Sequence, residues 1–269
     1  MIEIRAGFTI GFRCPQPTPM LLMVNLRPEH VPDLITPQVI SVTPDVPVHE
    51  YVDRFGNVCT RVLAPAGDIT IATDFRIKDS GLPDVAAPDA VQLPVEDLPD
   101  EVLVYLLGSR YCETDELSDI AWDLFGSTPP GWGRVQAICD FVQERITFGY
   151  PNARSTRTAF QGYRERVGVC RDFAHLAVTL CRCMNIPARY CTGYLGDIGV
   201  PLVDAPMDFS AWFDVYLSGR WYTFDARHNI PRIGRLVMAR GRDATDVAIS
   251  TAFGRAELVR FEVVTDQVG

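Results

Sequence analysis

The stretch Gly168-Val169-Cys170-Arg171-Asp172-Phe173-Ala174-His175-Leu176-Ala177 leads from a small, flexible residue into a cysteine and then into a helical pattern. Apolar residues then recur at intervals of three and four, which predicts a helix with one buried face. Its members are Cys170, Phe173, Ala174, Ala177, Val178, Cys181 and Met184. Pro187 predicts the end of the helix, because proline cannot continue a helix and disfavours helical backbone just before it.

Cys170 occupies the first turn of this predicted helix. Unsatisfied N–H groups and the helix dipole favour negative charge there, so a thiol at this position is expected to ionise more readily and to be a better nucleophile. The alternative is a buried core cysteine, because free cysteine is among the most buried residue types. This stretch alone leaves both interpretations open.

The composition predicts a globular protein rather than a fibrous or disordered one. The chain has 269 residues, 47% of them hydrophobic and 22% charged, and a formal net charge of −9. This acidic balance argues against nucleic acid or an anionic membrane as a partner. No segment approaches the roughly 20 apolar residues of a transmembrane helix, and the start lacks a signal-peptide layout, so a cytoplasmic location is expected.

The cysteines and histidines predict neither a metal site nor a disulfide scaffold. There are eight cysteines and four histidines, and no cysteine pair has C-x-x-C spacing. No calcium-binding loop pattern occurs either, so no cofactor is predicted. Imidazole chemistry is limited to a few candidates: His30, His49, His175 and His228.

The order of the patterns predicts three regions. Residues 1–80 alternate short β-favouring runs with turns and predict a β-rich, sandwich-like domain. Residues 81–100 contain four prolines and several acidic residues, which predicts a linker. Residues 101–269 predict a core domain with helices near 114–125, 134–146 and 158, followed by the Cys170 helix and by strands.

The strands after Pro187 include a predicted hairpin. Residues 188–195 alternate as a strand does, and 209–217 and 220–225 flank the two-residue turn Ser218-Gly219. Asp225 closes the second strand of this hairpin. Taken alone, Asp225 is expected to cap the hairpin or to pair with Arg227 or Arg189.

Three features follow one another along the chain. The first is the cysteine at a helix start, and the second is the strand Phe209-Ser210-Ala211-Trp212-Phe213-Asp214-Val215-Tyr216-Leu217. The third is the segment Arg220-Trp221-Tyr222-Thr223-Phe224-Asp225-Ala226-Arg227. This order resembles the transglutaminase-like superfamily, in particular its bacterial members described as cysteine proteases. The resemblance covers roughly residues 134–229. It implies an α+β fold in which the cysteine helix packs on an antiparallel sheet, as in papain and the transglutaminases, behind a β-sandwich-like domain.

The resemblance also implies a Cys-His-Asp triad with Cys170 as nucleophile and Asp225 as the acid that orients the imidazole. The family histidine belongs at the head of the first hairpin strand, where this chain has Ser210. His228 follows Asp225 by three residues, and the hairpin turn sets residue 210 opposite residue 227. His228 is therefore expected near the Cys170 site, either as the replacement imidazole or as a loop-stabilising residue.

Losing an imidazole at position 210 affects substrates unequally. An amide leaving group needs a proton, and the hydroxyl of Ser210 is a poor acid, whereas a thioester leaves as a stable thiolate. The first hypothesis is therefore a cysteine-dependent hydrolase, protease or acyltransferase acting on a peptide, amide or thioester. The alternative is a binding or scaffold protein that has lost the chemistry.

One basic cluster remains without an assigned role. Arg232, Arg235, Arg240 and Arg242 follow the hairpin and predict either a solvated face or a site for a carboxylate or phosphate. No oligomeric state is predicted.

Overall fold

The structure, a computed structural model, describes residues 1–202 and 206–268. The strands are β1 (Ile2–Cys14), β2 (Thr18–Leu22), β3 (Ser41–Thr43), β4 (Val48–Val52), β5 (Val58–Ala64), β6 (Gly67–Asp79), β7 (Thr147–Phe148), β8 (Val167–Gly168), β9 (Ala188–Tyr194), β10 (Ser210–Leu217), β11 (Arg220–Phe224), β12 (Leu236–Gly241), β13 (Ser250–Ala252) and β14 (Glu257–Val268). The α-helices are α1 (Asp100–Leu103), α2 (Thr114–Phe125), α3 (Trp132–Arg145), α4 (Ala159–Glu165) and α5 (Cys170–Cys183). No helix in the described ranges is long and apolar enough to cross a membrane.

The N-terminal strands β1 to β6, together with the C-terminal strands β13 and β14, form two antiparallel sheets that share one apolar core. The sheet orders are β14-β1-β6-β3 and β13-β2-β5-β4. Phe8 and Ile71 of the first sheet pack in the same buried cluster as Met20 and Val62 of the second, which is the arrangement of a sandwich. The predicted β-sandwich-like domain is confirmed.

Strand β1 is longer than the sequence pattern indicates. Two separate strands, 2–4 and 8–12, are predicted, but the structure has one strand through Gly7. A Cβ at position 7 would lie 2.4 Å from the carbonyl oxygen of Thr73 on β6. Glycine here allows the two backbones to approach closely, so it does not interrupt the strand.

In the core, helix α5 packs against a four-stranded antiparallel sheet of order β11-β10-β9-β12. Every residue of α5 from Asp172 to Cys183 is buried, and the helix contacts β9 and β10 on one side and α2, α3 and α4 on others. Ala177 and Leu180 share an apolar cluster with Phe213 and Val215 of β10. The predicted α+β fold, with the cysteine helix on an antiparallel sheet, is confirmed.

Helix α5 ends as the sequence predicts. Asn185 has a φ of 60°, in the left-handed region that commonly terminates helices, and its N–H bonds to the carbonyl of Arg182. Pro187 follows, and β9 begins at Ala188.

Residues 81–100 run across the surface of the core and are bound to it at several points. The Val91 N–H donates to the hydroxyl of Ser218, and the Ser218 N–H donates to the Val91 carbonyl, both at 2.9 Å. The Asp84 N–H donates to the Arg232 carbonyl at 2.9 Å. Strands β13 and β14, from the C-terminal end of the chain, pair with β2 and β1.

We propose that residues 81–100 separate the β-rich region 1–80 from the core 101–269, and limited proteolysis tests this. Cleavage is expected just after Val85, which is 60% exposed, between the hydrogen-bonded residues Asp84 and Val91. Because β14 stays paired with β1, the two fragments should separate on a denaturing gel and still co-elute in native size-exclusion chromatography. Cleavage elsewhere, with 81–100 intact, would contradict the proposed boundary.

Candidate active site

A network of buried polar groups fixes Cys170 at the start of α5. The Val169 N–H donates to Oδ2 of Asp172 at 2.9 Å, and Arg157 donates to the same oxygen at 2.9 Å. A Cβ at position 168 would lie 2.7 Å from the Asp172 side chain, so this approach requires Gly168. The chain therefore turns tightly into the helix, and Cys170 is its first residue, where the backbone N–H has no partner within the helix.

A cavity of about 580 Å³ opens beside Cys170. Ser210, Arg227, His228 and Arg232 line it together with the cysteine. The other lining residues include the apolar or aromatic Phe148, Tyr150, Leu195, Met207 and Phe209 and the acidic Asp197 and Asp208. Its size is in the range that binds small molecules or a few peptide residues.

Burial dominates the electrostatics of the thiol. Burial raises the pKa of Cys170 to about 11, while the positive charge of Arg227 and the Ala211 N–H act in the opposite direction. The easily ionised thiol expected from the helix start is thus not found, because desolvation outweighs these favourable contacts. Attack by Cys170 at neutral pH therefore needs a base that removes its proton.

The raised pKa gives a testable pH dependence. The thiolate is the reactive form, so alkylation of Cys170 by iodoacetamide should rise about tenfold per pH unit between roughly pH 7 and 10. Cys181, Cys191 and Cys112 are fully buried and should react far more slowly. Rates for each cysteine, measured by mass spectrometry of digested samples, check this. A rate for Cys170 that is constant above pH 7 would instead indicate a preformed thiolate.

Asp225 and His228 form a directly bonded pair. Nδ1 of His228 lies 2.8 Å from Oδ2 of Asp225. The Arg227 and His228 N–H groups donate to Oδ1 at 3.0 and 3.1 Å, so the carboxylate also closes the turn after β11. Helix α3 holds the same turn, because Gln143 donates to the carbonyls of Arg227 and His228.

Arg235 keeps the Asp225 carboxylate charged. Burial alone would raise the pKa of Asp225, but the His228 hydrogen bond and the charge of Arg235 hold it well below its usual range. Arg235 lies 3.1 Å from Asp225 and 2.8 Å from Asp84 of the linker. Asp225 is therefore both the turn cap expected from the sequence and the partner of an imidazole, but Arg235 is its cationic partner. Arg189 pairs with Asp214 instead.

The arrangement brings three of the four residues singled out in the sequence to one cavity. Cys170, Ser210 and His228 line it, and Asp225 lies behind His228. Ser210 begins β10 and is buried. The ladder between β10 and β11 ends at Phe213↔Phe224, and continuing it sets position 210 opposite 227, beside His228. The expectation that His228 lies near the Cys170 site agrees with this geometry, and its catalytic role remains a prediction.

The other three histidines lie outside this cavity. His175 is fully buried, its ring lies between Tyr111 and Tyr190, and its Nε2 accepts from the Ala244 N–H. Burial lowers the pKa of His175 to about 3. It is a packed residue, as its position round the helix predicts.

The basic cluster is not a solvated face. The side chains of Arg232 and Arg235 are 3% and 6% exposed, and Arg240 pairs with Asp214 and Glu29. The expectation of a solvated face is wrong for these residues, because Arg232 and Arg235 are buried against a backbone carbonyl and two carboxylates. Arg232 lines the cavity itself.

No sequence pattern predicts that Arg235 bonds to Asp225, that Gln143 holds the turn or that the Ala211 N–H faces the thiol. Asp84 is distant from Asp225 in the chain, and Arg235 lies ten residues beyond Asp225 with no helical or strand spacing to join the two. The position of Arg227 near the site could have been predicted from the sequence, because Arg227 directly precedes His228.

Comparisons with known proteins agree with this architecture. The sequence model of the transglutaminase-like superfamily matches residues 120–226. The crystal structure of "a Putative Cysteine Protease from Cytophaga hutchinsonii" superposes with a TM-score of 0.85 and 28% identity, covering 100% of this chain and 91% of the other. An uncharacterized protein of Mycobacterium leprae is 22% identical over 215 residues, 78% of this chain and 77% of that protein.

A more distant structure, the periplasmic domain of TgpA from Pseudomonas aeruginosa bound to ethylmercury, has a TM-score of 0.39 and 12% identity. It covers 81% of this chain and 92% of that one. The matched span 120–226 contains α5 with Cys170 and the β10–β11 hairpin with Asp225. Residues 120–226 of this chain are therefore a domain of the transglutaminase-like superfamily.

Proposed function

We propose that this protein is a cysteine-dependent acyl-transfer enzyme, acting on peptide, amide or thioester bonds, in which His228 supplies the imidazole in place of a histidine at position 210. The single observation that carries the proposal is the 2.8 Å contact between His228 Nδ1 and Asp225 in a residue pair beside the Cys170 cavity. A carboxylate on one ring nitrogen orients the ring and leaves the other nitrogen for proton transfer.

The proposed reaction has two steps. His228 removes the Cys170 thiol proton as the sulfur attacks the carbonyl carbon, and the N–H groups at the start of α5 stabilise the developing oxyanion. The imidazolium then returns the proton to the leaving amine, and the carbon–nitrogen bond breaks to give a thioester on Cys170. Water or an amine attacks this thioester and releases the thiol. Asp225 supports the imidazolium throughout.

The raised thiol pKa supports a base-assisted attack rather than a preformed thiolate. A buried thiol with a pKa of about 11 is protonated at neutral pH, so proton removal must accompany bond formation. The alternative, a scaffold that has lost the chemistry, is favoured only by Ser210. The imidazole of His228, bonded to Asp225 and lining the same cavity as Cys170, supports an enzyme.

Trapping the acyl intermediate tests the proposal. Brief reaction of the full chain with the p-nitrophenyl ester of glutaric acid, followed by acid quench, should add one glutaryl group per molecule, which peptide mapping should locate on Cys170. Cys170→Ala should show neither the adduct nor burst release of p-nitrophenol. Cys183→Ala is the matched control, since Cys183 is at the other end of the same helix, and it should behave as the wild type. Acylation elsewhere, or equally in Cys170→Ala, would overturn the assignment.

A further inference from the structure

The cavity beside Cys170 contains two guanidinium groups whose charge and hydrogen bonds are only partly used. Among the described residues, Arg227 makes no side-chain hydrogen bond or ion pair, and its Cζ lies 3.7 Å from the ring centroid of Phe148. Arg232 donates through Nη2 to the Gly196 carbonyl at 2.9 Å, but its Nε is buried without a partner. Both residues line the cavity.

An orphaned buried N–H is unusual, because buried polar groups nearly always find a partner. Arg232 is only 4% exposed, so bulk water does not satisfy this nitrogen. This nitrogen is closed off even from the cavity, so Arg232 contributes its positive charge to the cavity rather than a hydrogen bond from Nε. A planar guanidinium prefers a carboxylate, which accepts two parallel hydrogen bonds.

The acidic residues of the cavity do not remove this preference. Asp197 lies 3.5 Å from Arg232 Nη2, so it neutralises part of that charge and leaves Nε free. Asp208 lines the same cavity, and burial raises the pKa of Asp208 although the charge of Arg227 acts against this. No salt bridge joins the two side chains within the described residues. Arg227 therefore remains the cation beside the thiol that lacks a bonded anion, and stacking on Phe148 fixes its plane at the cavity wall.

We propose that Arg227 and Arg232 form a carboxylate subsite, so that the preferred acyl donor carries a second, free carboxylate close to the carbonyl that Cys170 attacks. The inference about the acyl donor rests on the proposed function. The subsite itself does not, because it would attract any small anion that enters the cavity. The aromatic and apolar wall, with Phe148, Tyr150 and Phe209, accommodates the rest of the donor.

Two alkylating reagents of nearly the same size test the subsite without depending on catalysis. Iodoacetate and iodoacetamide both transfer their CH₂ carbon to the Cys170 sulfur, with loss of iodide and of the thiol proton, and only iodoacetate carries a carboxylate. The ratio of their rates cancels the thiolate fraction. Relative to 2-mercaptoethanol, Cys170 should favour iodoacetate by about tenfold or more at low salt, and less at high salt.

Variants of Arg227 locate the effect. Arg227→Gln should return the ratio to about that of 2-mercaptoethanol, and Arg227→Lys should keep most of it. Arg164→Gln, on the exposed side of α4 and outside the cavity, is the matched control and should not change it. A ratio unaffected by Arg227→Gln, or Cys170 unreactive to both reagents, would overturn the subsite.

A substrate comparison then extends the test to the acyl donor. The p-nitrophenyl esters of glutaric acid and of its monomethyl ester differ in the free carboxylate alone. The free acid should give a kcat/KM about tenfold or more above that of the methyl ester, and Arg227→Gln should remove the difference. Equal values with Cys170-dependent turnover would overturn the donor inference alone. No Cys170-dependent turnover of either ester, together with an iodoacetate preference, would overturn the proposed function while the subsite stands.

Discussion

Replacing His228 by alanine is expected to lower kcat/KM for an anilide of glutaric acid by about 10²–10⁴, the usual contribution of a positioned general acid and base. The side chain is 23% exposed and, in the part of the chain that the structure describes, hydrogen-bonds only to Asp225, so the fold should tolerate its removal. The loss should be smaller for a thiophenyl ester of the same acid, because a thiolate leaves without a proton and only the removal of the Cys170 thiol proton is then affected. This dependence on the leaving group distinguishes a proton donor from a residue that merely supports the loop.

The controls separate chemistry from stability. His49→Ala removes an exposed histidine on β4, outside the cavity, and should leave both rates unchanged. Thermal unfolding of His228→Ala should resemble that of the wild type. Equal losses for anilide and thioester, or a fall in unfolding temperature that accounts for the lost activity, would argue that His228 only stabilises the turn.

The sequence was sufficient to predict the elements that local patterns determine. The 3.6-residue period and Pro187 define α5, and a two-residue turn joins β10 to β11 as expected. The pattern predicts two short strands where the structure has the single strand β1. Gly7 lies within β1 because it allows the backbone to approach Thr73 closely, and this contact depends on the partner strand. Pairing of β14 with β1 joins the two ends of the chain, and no local pattern predicts such contacts.

The candidate site was predictable in its residues and not in its electrostatics. Cys170, Asp225 and Ser210 follow from the resemblance to the transglutaminase-like superfamily, and His228 follows from the hairpin register, which sets 210 opposite 227. The pKa of the thiol depends on desolvation, which the sequence does not reveal, and burial reverses the shift expected from the helix start. The support of Asp225 by Arg235 and Asp84 also depends on tertiary packing.

The double variant Ser210→His with His228→Ala is expected to recover much of the activity that His228→Ala loses. Position 210 lines the cavity at the head of β10, and removing His228 frees Oδ2 of Asp225. An imidazole at 210 then has the thiol on one side and the carboxylate within the same site, as the family arrangement requires. Recovery of about 10–10³-fold on the anilide is expected, and a smaller recovery on the thioester, which needs the imidazole only to remove the Cys170 proton.

Adding Ser210→His to the wild type and to His228→Ala distinguishes an enzyme that uses His228 from a protein that has lost the chemistry. In the wild type, His228 already occupies Asp225, so Ser210→His alone should raise anilide turnover by less than about tenfold. Ser210→Ala with His228→Ala is the matched control, and it should stay as inactive as His228→Ala. If wild type and His228→Ala are equally silent and Ser210→His alone creates activity, His228 is not the imidazole and the unmodified site is inactive. If Ser210→His raises activity equally with and without His228, histidines at positions 210 and 228 do not compete for Asp225. The proposal that His228 replaces the imidazole at position 210 is then wrong.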